Sequence, residues 1–323
     1  MNDNLSSAVR GLNIFIVDDV HELLPQELSE VGHHVLYLPN ATRADILAHL
    51  PEQDILVIRT KTQVDAALIN VGSNLKLIAR AGAGLDNIDL DYAQTRGIKC
   101  INAGEANADA VGEHALGLLL MLLNNLGRAN NQVKDKVWLR EENRGTELAG
   151  KTVAIIGYGN TGSAFAKKLS GLGVKILVYD PYLKDFGNDF VKESSWEEIV
   201  EEADILSFHV PLTKETIYYL DQTKIERFKK PFYLLNLSRG KVVKTTHLIA
   251  GLQSKKVLGC ALDVLENEVL ESLNEEEKEV FAFLVSGENV ILTPHIGGWT
   301  KESYFKISRI LLGKVLTFIE KGE

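Results

Sequence analysis

Arg239, Glu268 and His295 are the side chains of this 323-residue chain best suited to acid–base chemistry on a small anion. They fall in Asn236-Leu237-Ser238-Arg239-Gly240, beyond Leu262-Asp263-Val264, and in Thr293-Pro294-His295-Ile296-Gly297-Gly298, each near the end of a short apolar run. An arginine presents a planar fork of donors to a carboxylate. A histidine exchanges a proton near neutral pH, and a carboxylate on its other nitrogen fixes the tautomer. Alone, such residues are as well explained by structural roles; here they follow a further motif. Gly157-Tyr158-Gly159-Asn160-Thr161-Gly162 closes the apolar run Thr152 to Ile156, opens a helix-like stretch, and is followed by a second run, Ile176 to Tyr179, that ends at Asp180. This is a dinucleotide fingerprint: Gly157 permits the tight turn, Gly159 lets the backbone approach a pyrophosphate, and Gly162 lets the helix pack close. Asn160 and Thr161 open the helix whose free N–H groups receive the pyrophosphate. Asp180 suits two ribose hydroxyls and would repel a 2′-phosphate, so the motif reads NAD rather than NADP.

Two successive alternations of apolar runs and helical stretches must position these groups. Ile14–Val17, His34–Tyr37, Ile55–Ile58, Leu75–Ala79 and Ile98–Ile101 read as strands, with helical stretches between them. The pattern restarts near Gly150 and gives Val153–Ile156, Lys175–Tyr179, Ile205–His209, Phe232–Leu237, Val257–Leu262 and Val290–Leu292. The expectation is an α/β chain of two doubly wound parallel-sheet domains, residues 1–103 plus 299–323 and residues 104–298. Ligands of open α/β sheets bind outside the carboxyl ends of the strands, so the signatures around Arg239, Asp263 and His295 should converge there. Asn107 to Leu126 is long and apolar, as expected of a helix buried between layers. Arg128 to Thr146 is polar apart from Trp138, and reads either as an ordinary loop or as an arm exchanged between subunits of a homodimer. The last helix, Lys301 to Glu320, lines Ile307, Ile310, Leu311, Val315 and Phe318 along one face and must dock.

A net charge of −9 and the lack of a basic stripe argue against nucleic acid and anionic membranes as partners. No stretch is long and apolar enough for a transmembrane helix, and Met1 to Arg10 lacks a signal-peptide core. Cys100 and Cys260 sit in apolar contexts and read as buried reduced thiols, which points to the cytoplasm. Glu113-His114 has no second histidine at helical spacing, so it is read as structural and no metal site is expected. His33-His34 is expected to be exposed.

From about Leu12 to the C-terminus, the fingerprint and the three later signatures resemble the NAD-dependent D-2-hydroxyacid dehydrogenases, closest to the short-form D-3-phosphoglycerate dehydrogenases. The resemblance implies a Rossmann NAD domain and a flavodoxin-like substrate domain. It places the family's catalytic arginine, glutamate and histidine on Arg239, Glu268 and His295. Arg239 would hold the substrate carboxylate; His295 would take the hydroxyl proton as hydride leaves C2, with Glu268 on its other nitrogen. Cofactor contacts are implied at His209, Val210 and Pro211, at Ser238, Arg239 and Asp263, and at His295, Gly297 and Gly298, with Asp263 assigned to the nicotinamide carboxamide. Substrate contacts are implied at Ala81, Gly82, Ala83 and Gly84, whose bare N–H groups suit a carboxylate. Asn107, also a candidate helix cap, and Arg59 and Lys61, two cations suited to a phosphate, complete that set. Hence 3-phosphoglycerate is favoured over glyoxylate, hydroxypyruvate or lactate-type substrates. Val269 stands where the family usually has proline after the glutamate, and Trp299 where many relatives have a small residue. A formate dehydrogenase would have glutamine at position 268, and a NAD-sensing binding protein without catalysis is a further alternative. The end at Glu323 leads us to expect no regulatory domain.

Overall fold

The computed structural model describes residues 11–321. The described chain divides into two compact units. One runs up to Asn107 and resumes at Thr300; the other is Ala108–Trp299.

The first unit is built on five parallel strands, β1 (Asn13–Ile16), β2 (His34–Tyr37), β3 (Ile55–Ile58), β4 (Leu77–Arg80) and β5 (Lys99–Asn102), in the order β2-β1-β3-β4-β5. Parallel strands need crossover connections, and helices covering both faces leave the central strands apolar throughout. Accordingly β3 is Ile-Leu-Val-Ile and wholly buried. The core divides between the two faces: Ile14, Leu24, Val57 and Leu77 on one, Phe15, Leu56, Ile58 and Ile78 on the other. Helix starts are specified locally. Thr42 and Asp45 form a reciprocal capping box, and Asp65 caps Ala66–Val71 through the Leu68 N–H. Lys301–Lys321 returns to this unit and packs on helix Leu23–Glu30, burying Ile307, Leu311, Val315 and Phe318. His33 departs from expectation. It is buried, its Nδ1 accepts the Leu12 N–H at 3.3 Å, and burial together with the neighbouring His34 holds its pKa down.

The second unit carries seven parallel strands, β6 (Thr152–Ile156), β7 (Lys175–Tyr179), β8 (Lys192–Glu193), β9 (Ile205–Phe208), β10 (Phe232–Asn236), β11 (Val257–Leu262) and β12 (Val290–Leu292), in the order β12-β11-β10-β9-β6-β7-β8. The order reverses between β6 and β9, so the chain leaves β6 at the point where an open α/β sheet forms its crevice. Helix Ala108–Leu123 buries Val111, Ala115, Leu118, Leu119 and Leu122, and packs against helix Asn160–Leu169 and β10 to β12.

Two expectations fail near this helix. It ends at Leu123, Asn125 takes a left-handed φ of 53°, and a second helix, Leu126–Lys134, occupies the start of the predicted arm. Asparagine tolerates that conformation better than other side chains, so the Asn124-Asn125 pair acts as a break. Asn107 does not accept a cap bond, for its buried Oδ1 has no hydrogen-bond partner. Among the described residues, no helix is long and apolar enough to cross a membrane.

Candidate active site

The turn after β6 is fixed by backbone contact. Gly157 adopts φ 92°, and a Cβ there would lie 2.7 Å from the His209 carbonyl oxygen. A Cβ on Gly162 would lie 2.0 Å from the Gly157 oxygen. Both positions therefore exclude a side chain on grounds internal to the protein. Gly159 differs: its φ is an ordinary −72°, and an added Cβ meets nothing within 4 Å. Nothing in the chain requires glycine there, which is expected where a bound group needs the space. Helix Asn160–Leu169 starts at this point with no side-chain cap and no acid in its first turn, leaving N–H groups ready for an anion. Asp180 accepts the Tyr158 and Tyr182 N–H groups at 2.9 Å each, bracing its carboxylate beside the turn. These features fit a dinucleotide. His209 follows β9 and is buried, its Nε2 2.8 Å from Ser207 Oγ and its Nδ1 without a partner; burial lowers its pKa to about 3, so it remains neutral. Val210 and Pro211 continue from it.

The other candidate groups leave the carboxyl ends of three adjacent strands. Beyond β10, the Asn236 side chain ties the turn: its Oδ1 accepts from the Ser238 N–H and hydroxyl at 3.1 and 2.8 Å, and its Nδ2 donates to the Arg239 carbonyl at 2.9 Å. The half-buried Arg239 donates from Nη1 to the Ser238 carbonyl at 2.7 Å. Beyond β11, Asp263 is buried. Its Oδ1 accepts from Thr293 Oγ1 at 2.6 Å and from the Ile296 N–H at 2.9 Å; its Oδ2 accepts the Gly297 N–H at 2.8 Å. Burial pushes the Asp263 carboxyl up, but the imidazole of His114 3.5 Å away and bonds from Thr293, Ile296 and Gly297 outweigh it and hold the pKa below the usual range. Both oxygens therefore serve the chain's own loop. Beyond β12, His295 has φ 55°, a conformation costing about 1–3 kcal/mol for a non-glycine residue, and persisting only where neighbours enforce it. Its Nδ1 lies 2.9 Å from Glu268 Oε2. A carboxylate only accepts, so Nδ1 carries the hydrogen and the neutral ring keeps its Nε2 lone pair for an incoming proton. Gly298 completes the loop, and the following Trp299 is largely exposed.

In the first unit, Ala81–Gly84 follows β4. Gly82 has φ 153°, the Arg80 guanidinium lies against it, and Asn102 Nδ2 donates to the Ala83 carbonyl at 2.6 Å. Arg59 and Lys61 follow the adjacent β3. The Arg59 guanidinium is 3.5 Å from Asp19 and over the Tyr304 ring at 5.2 Å; Lys61 donates to the Pro39 carbonyl at 2.8 Å and stands 3.8 Å from Asp18. Sequence reasoning missed Asp18, Asp19 and Tyr304. Their partners lie some forty to almost three hundred residues away, and no local spacing records that.

Residues 116–297 match the model of the D-isomer specific 2-hydroxyacid dehydrogenase NAD-binding domain. The chain belongs to that family. This dehydrogenase is 37% identical to hydroxypyruvate reductase of Thermotoga maritima over 90% of each chain. It is 32% identical to D-3-phosphoglycerate dehydrogenase of Archaeoglobus fulgidus over 93% of its own length, but spans 56% of that relative. A solved structure of Aquifex aeolicus D-lactate dehydrogenase with NAD and lactic acid superposes with a TM-score of 0.82 at 28% identity, covering 96% of both chains. The fold of two parallel-sheet α/β domains is thus the family's own, and the enzyme is an NAD-dependent oxidoreductase of D-2-hydroxy acids.

Proposed function

We propose that this dehydrogenase interconverts 3-phosphoglycerate and 3-phosphohydroxypyruvate, with Arg239, Glu268 and His295 as its catalytic residues. The cofactor supplies the acceptor for the C2 hydride in oxidation and the donor in reduction. His295 Nε2 takes the C2 hydroxyl proton in oxidation and returns it in reduction, while Glu268 holds Nδ1 and stabilises the imidazolium that forms. Arg239 trades its bond to the Ser238 carbonyl for the substrate carboxylate, where a planar fork fixes orientation. In the loop Ala81–Gly84 the first two N–H groups are bonded to the Ile58 and Arg80 carbonyls at 2.8 and 2.9 Å, so those of Ala83 and Gly84 serve the same carboxylate.

One observation carries the phosphate assignment. Arg59 and Lys61 leave β3 beside the Ala81–Gly84 loop at the end of β4, so two cations and an anion-suited loop share one edge of one sheet. The named relatives also agree on a three-carbon skeleton, hydroxypyruvate in one and 3-phosphoglycerate in the other. A second reading, unphosphorylated hydroxypyruvate, is favoured by the Asp19 and Asp18 carboxylates that already face Arg59 and Lys61. Both contacts are long, and in each one partner, Arg59 or Asp18, is largely buried, so a phosphate here competes with carboxylates that already offset part of the positive charge. NADH consumption with 3-phosphohydroxypyruvate and hydroxypyruvate decides between them. Preference for the phosphorylated acid, lost in Lys61→Ala, supports the first reading; equal or better use of hydroxypyruvate overturns it.

The homodimer belongs to the same proposal. Leu126, Val133, Val137, Trp138 and Leu139 are all exposed within one short stretch, Trp138 by 80%. Apolar side chains so concentrated mark a protein contact. Light scattering of Trp138→Glu should show monomers where the parent shows dimers.

A further inference from the structure

We propose that His114 is a positioning residue for the loop that presents His295, acting through Thr293 and Asp263. The inference rests on the acid–base reading of His295. His114 lies on helix Ala108–Leu123, remote in sequence from the loop, and was singled out only as half of a Glu-His pair without metal-site spacing. The two members of that pair part company. Glu113 reaches Lys168 at 3.2 Å, whereas His114 Nε2 lies 3.2 Å from Thr293 Oγ1 and 3.5 Å from Asp263 Oδ1. The edge of the same ring, Cδ2, is 3.5 Å from where a Cβ on Gly297 would stand. The ring therefore meets the start and the anchor of the loop and stands close to its end.

The hydrogen-bond directions can be assigned. Thr293 has one hydroxyl hydrogen, given to the Asp263 carboxylate at 2.6 Å, so toward His114 its oxygen accepts and His114 Nε2 donates. The result is a chain: His114 N–H to Thr293 oxygen, Thr293 O–H to Asp263, and Asp263 to the N–H groups of Ile296 and Gly297. Those two N–H groups immediately follow His295, whose left-handed backbone must be held by its surroundings. Helix Ala108–Leu123 is anchored in the core, and His114 transmits that rigidity to the loop. Removing it leaves Thr293 without its donor and lets Asp263 turn away, which loosens the 2.9 Å contact of His295 with Glu268. His114 need not meet substrate for any of this.

The test compares His114→Leu, His114→Gln and Thr293→Val in the full-length enzyme, measuring NADH affinity by fluorescence and turnover of the preferred 2-oxo acid. His114→Leu should lower kcat roughly 10- to 100-fold, the scale of about 1 Å of misplacement, with NADH affinity unchanged and KM little moved. His114→Gln, whose amide N–H can reach Thr293, should recover most of the loss. Thr293→Val should match His114→Leu, and the double variant should be no worse than either single. If His114→Leu does not fold, the nearly isosteric Thr293→Val carries the test. Wild-type kcat in either variant, or a loss that glutamine does not rescue, overturns the proposal. His295→Asn run alongside separates the two ideas: an inactive His295→Asn beside a normal His114→Leu removes only this inference, whereas a fully active His295→Asn removes the acid–base reading beneath it.

Discussion

The glycine turn and the His295 loop lie in the same unit and are built on opposite principles. At Gly157 and Gly162 the geometry comes from the absence of side chains, with backbone against backbone and no room for a Cβ. At His295 it comes from side chains: Asp263 gathers two backbone N–H groups and a hydroxyl, and Glu268 reaches an imidazole on a strained residue. Steric fixation suits a site that receives a large, invariant group. Hydrogen-bonded fixation suits one whose partner must change protonation during the reaction. Binding and proton transfer should therefore separate under mutation.

The largest break should come from His295→Asn, which leaves the glycine turn intact and removes the proton acceptor. Turnover should fall by about 10²- to 10⁴-fold with a far smaller change in NADH binding, as stopped-flow and fluorescence titration would show. Arg239→Lys should come next, with kcat/KM down roughly 100-fold because a point charge cannot reproduce the fork, again with a far smaller change in NADH affinity. Gly162→Ala works on the other region. Its Cβ must displace the Gly157 carbonyl, at about 1–3 kcal/mol, so NADH should bind roughly 10- to 100-fold more weakly while the Glu268–His295 pair is undisturbed.

The smallest effect at neutral pH concerns His209, whose folded-state pKa of about 3 lies far below the ordinary 6.5. Above pH 6.5 both folded and unfolded forms are neutral, and nothing is lost. As pH falls from 6.5 toward 3 the unfolded chain takes a proton that the folded one refuses, so stability declines over that window. His209→Gln should flatten this part of the stability profile, measured by thermal melts from pH 7 to 4, and a slope identical to the parent's would contradict the burial argument.

The same contrast explains what could be read in the sequence. β3 and β12 coincide with their apolar runs, and the glycine spacing named its own turn, because steric requirements act over a few residues. β8 was invisible, since Lys192-Glu193 is a two-residue charged edge with no apolar signal. The side-chain network was equally hidden. His114 and Thr293 are 179 residues apart, Asp263 and Gly297 34 apart, and such pairings exist only once the sheet order is known. Asp263 illustrates the point: its place at a strand end was legible, whereas the Thr293 hydroxyl and the Ile296 and Gly297 N–H groups it gathers were not. The second helix beyond Asn124-Asn125 is equally absent from the sequence pattern, because Leu126–Lys134 buries nothing and leaves no periodic core face.

Glu268 gives the most direct test of the division between binding and chemistry, because its carboxylate is half-exposed, contacts His295 and lies outside the glycine turn. NADH affinity and turnover would be measured on one sample of Glu268→Gln. Unchanged NADH binding with turnover reduced by at least about tenfold is the expected result. Full turnover, or a loss matched by an equal loss of NADH binding, would contradict the account.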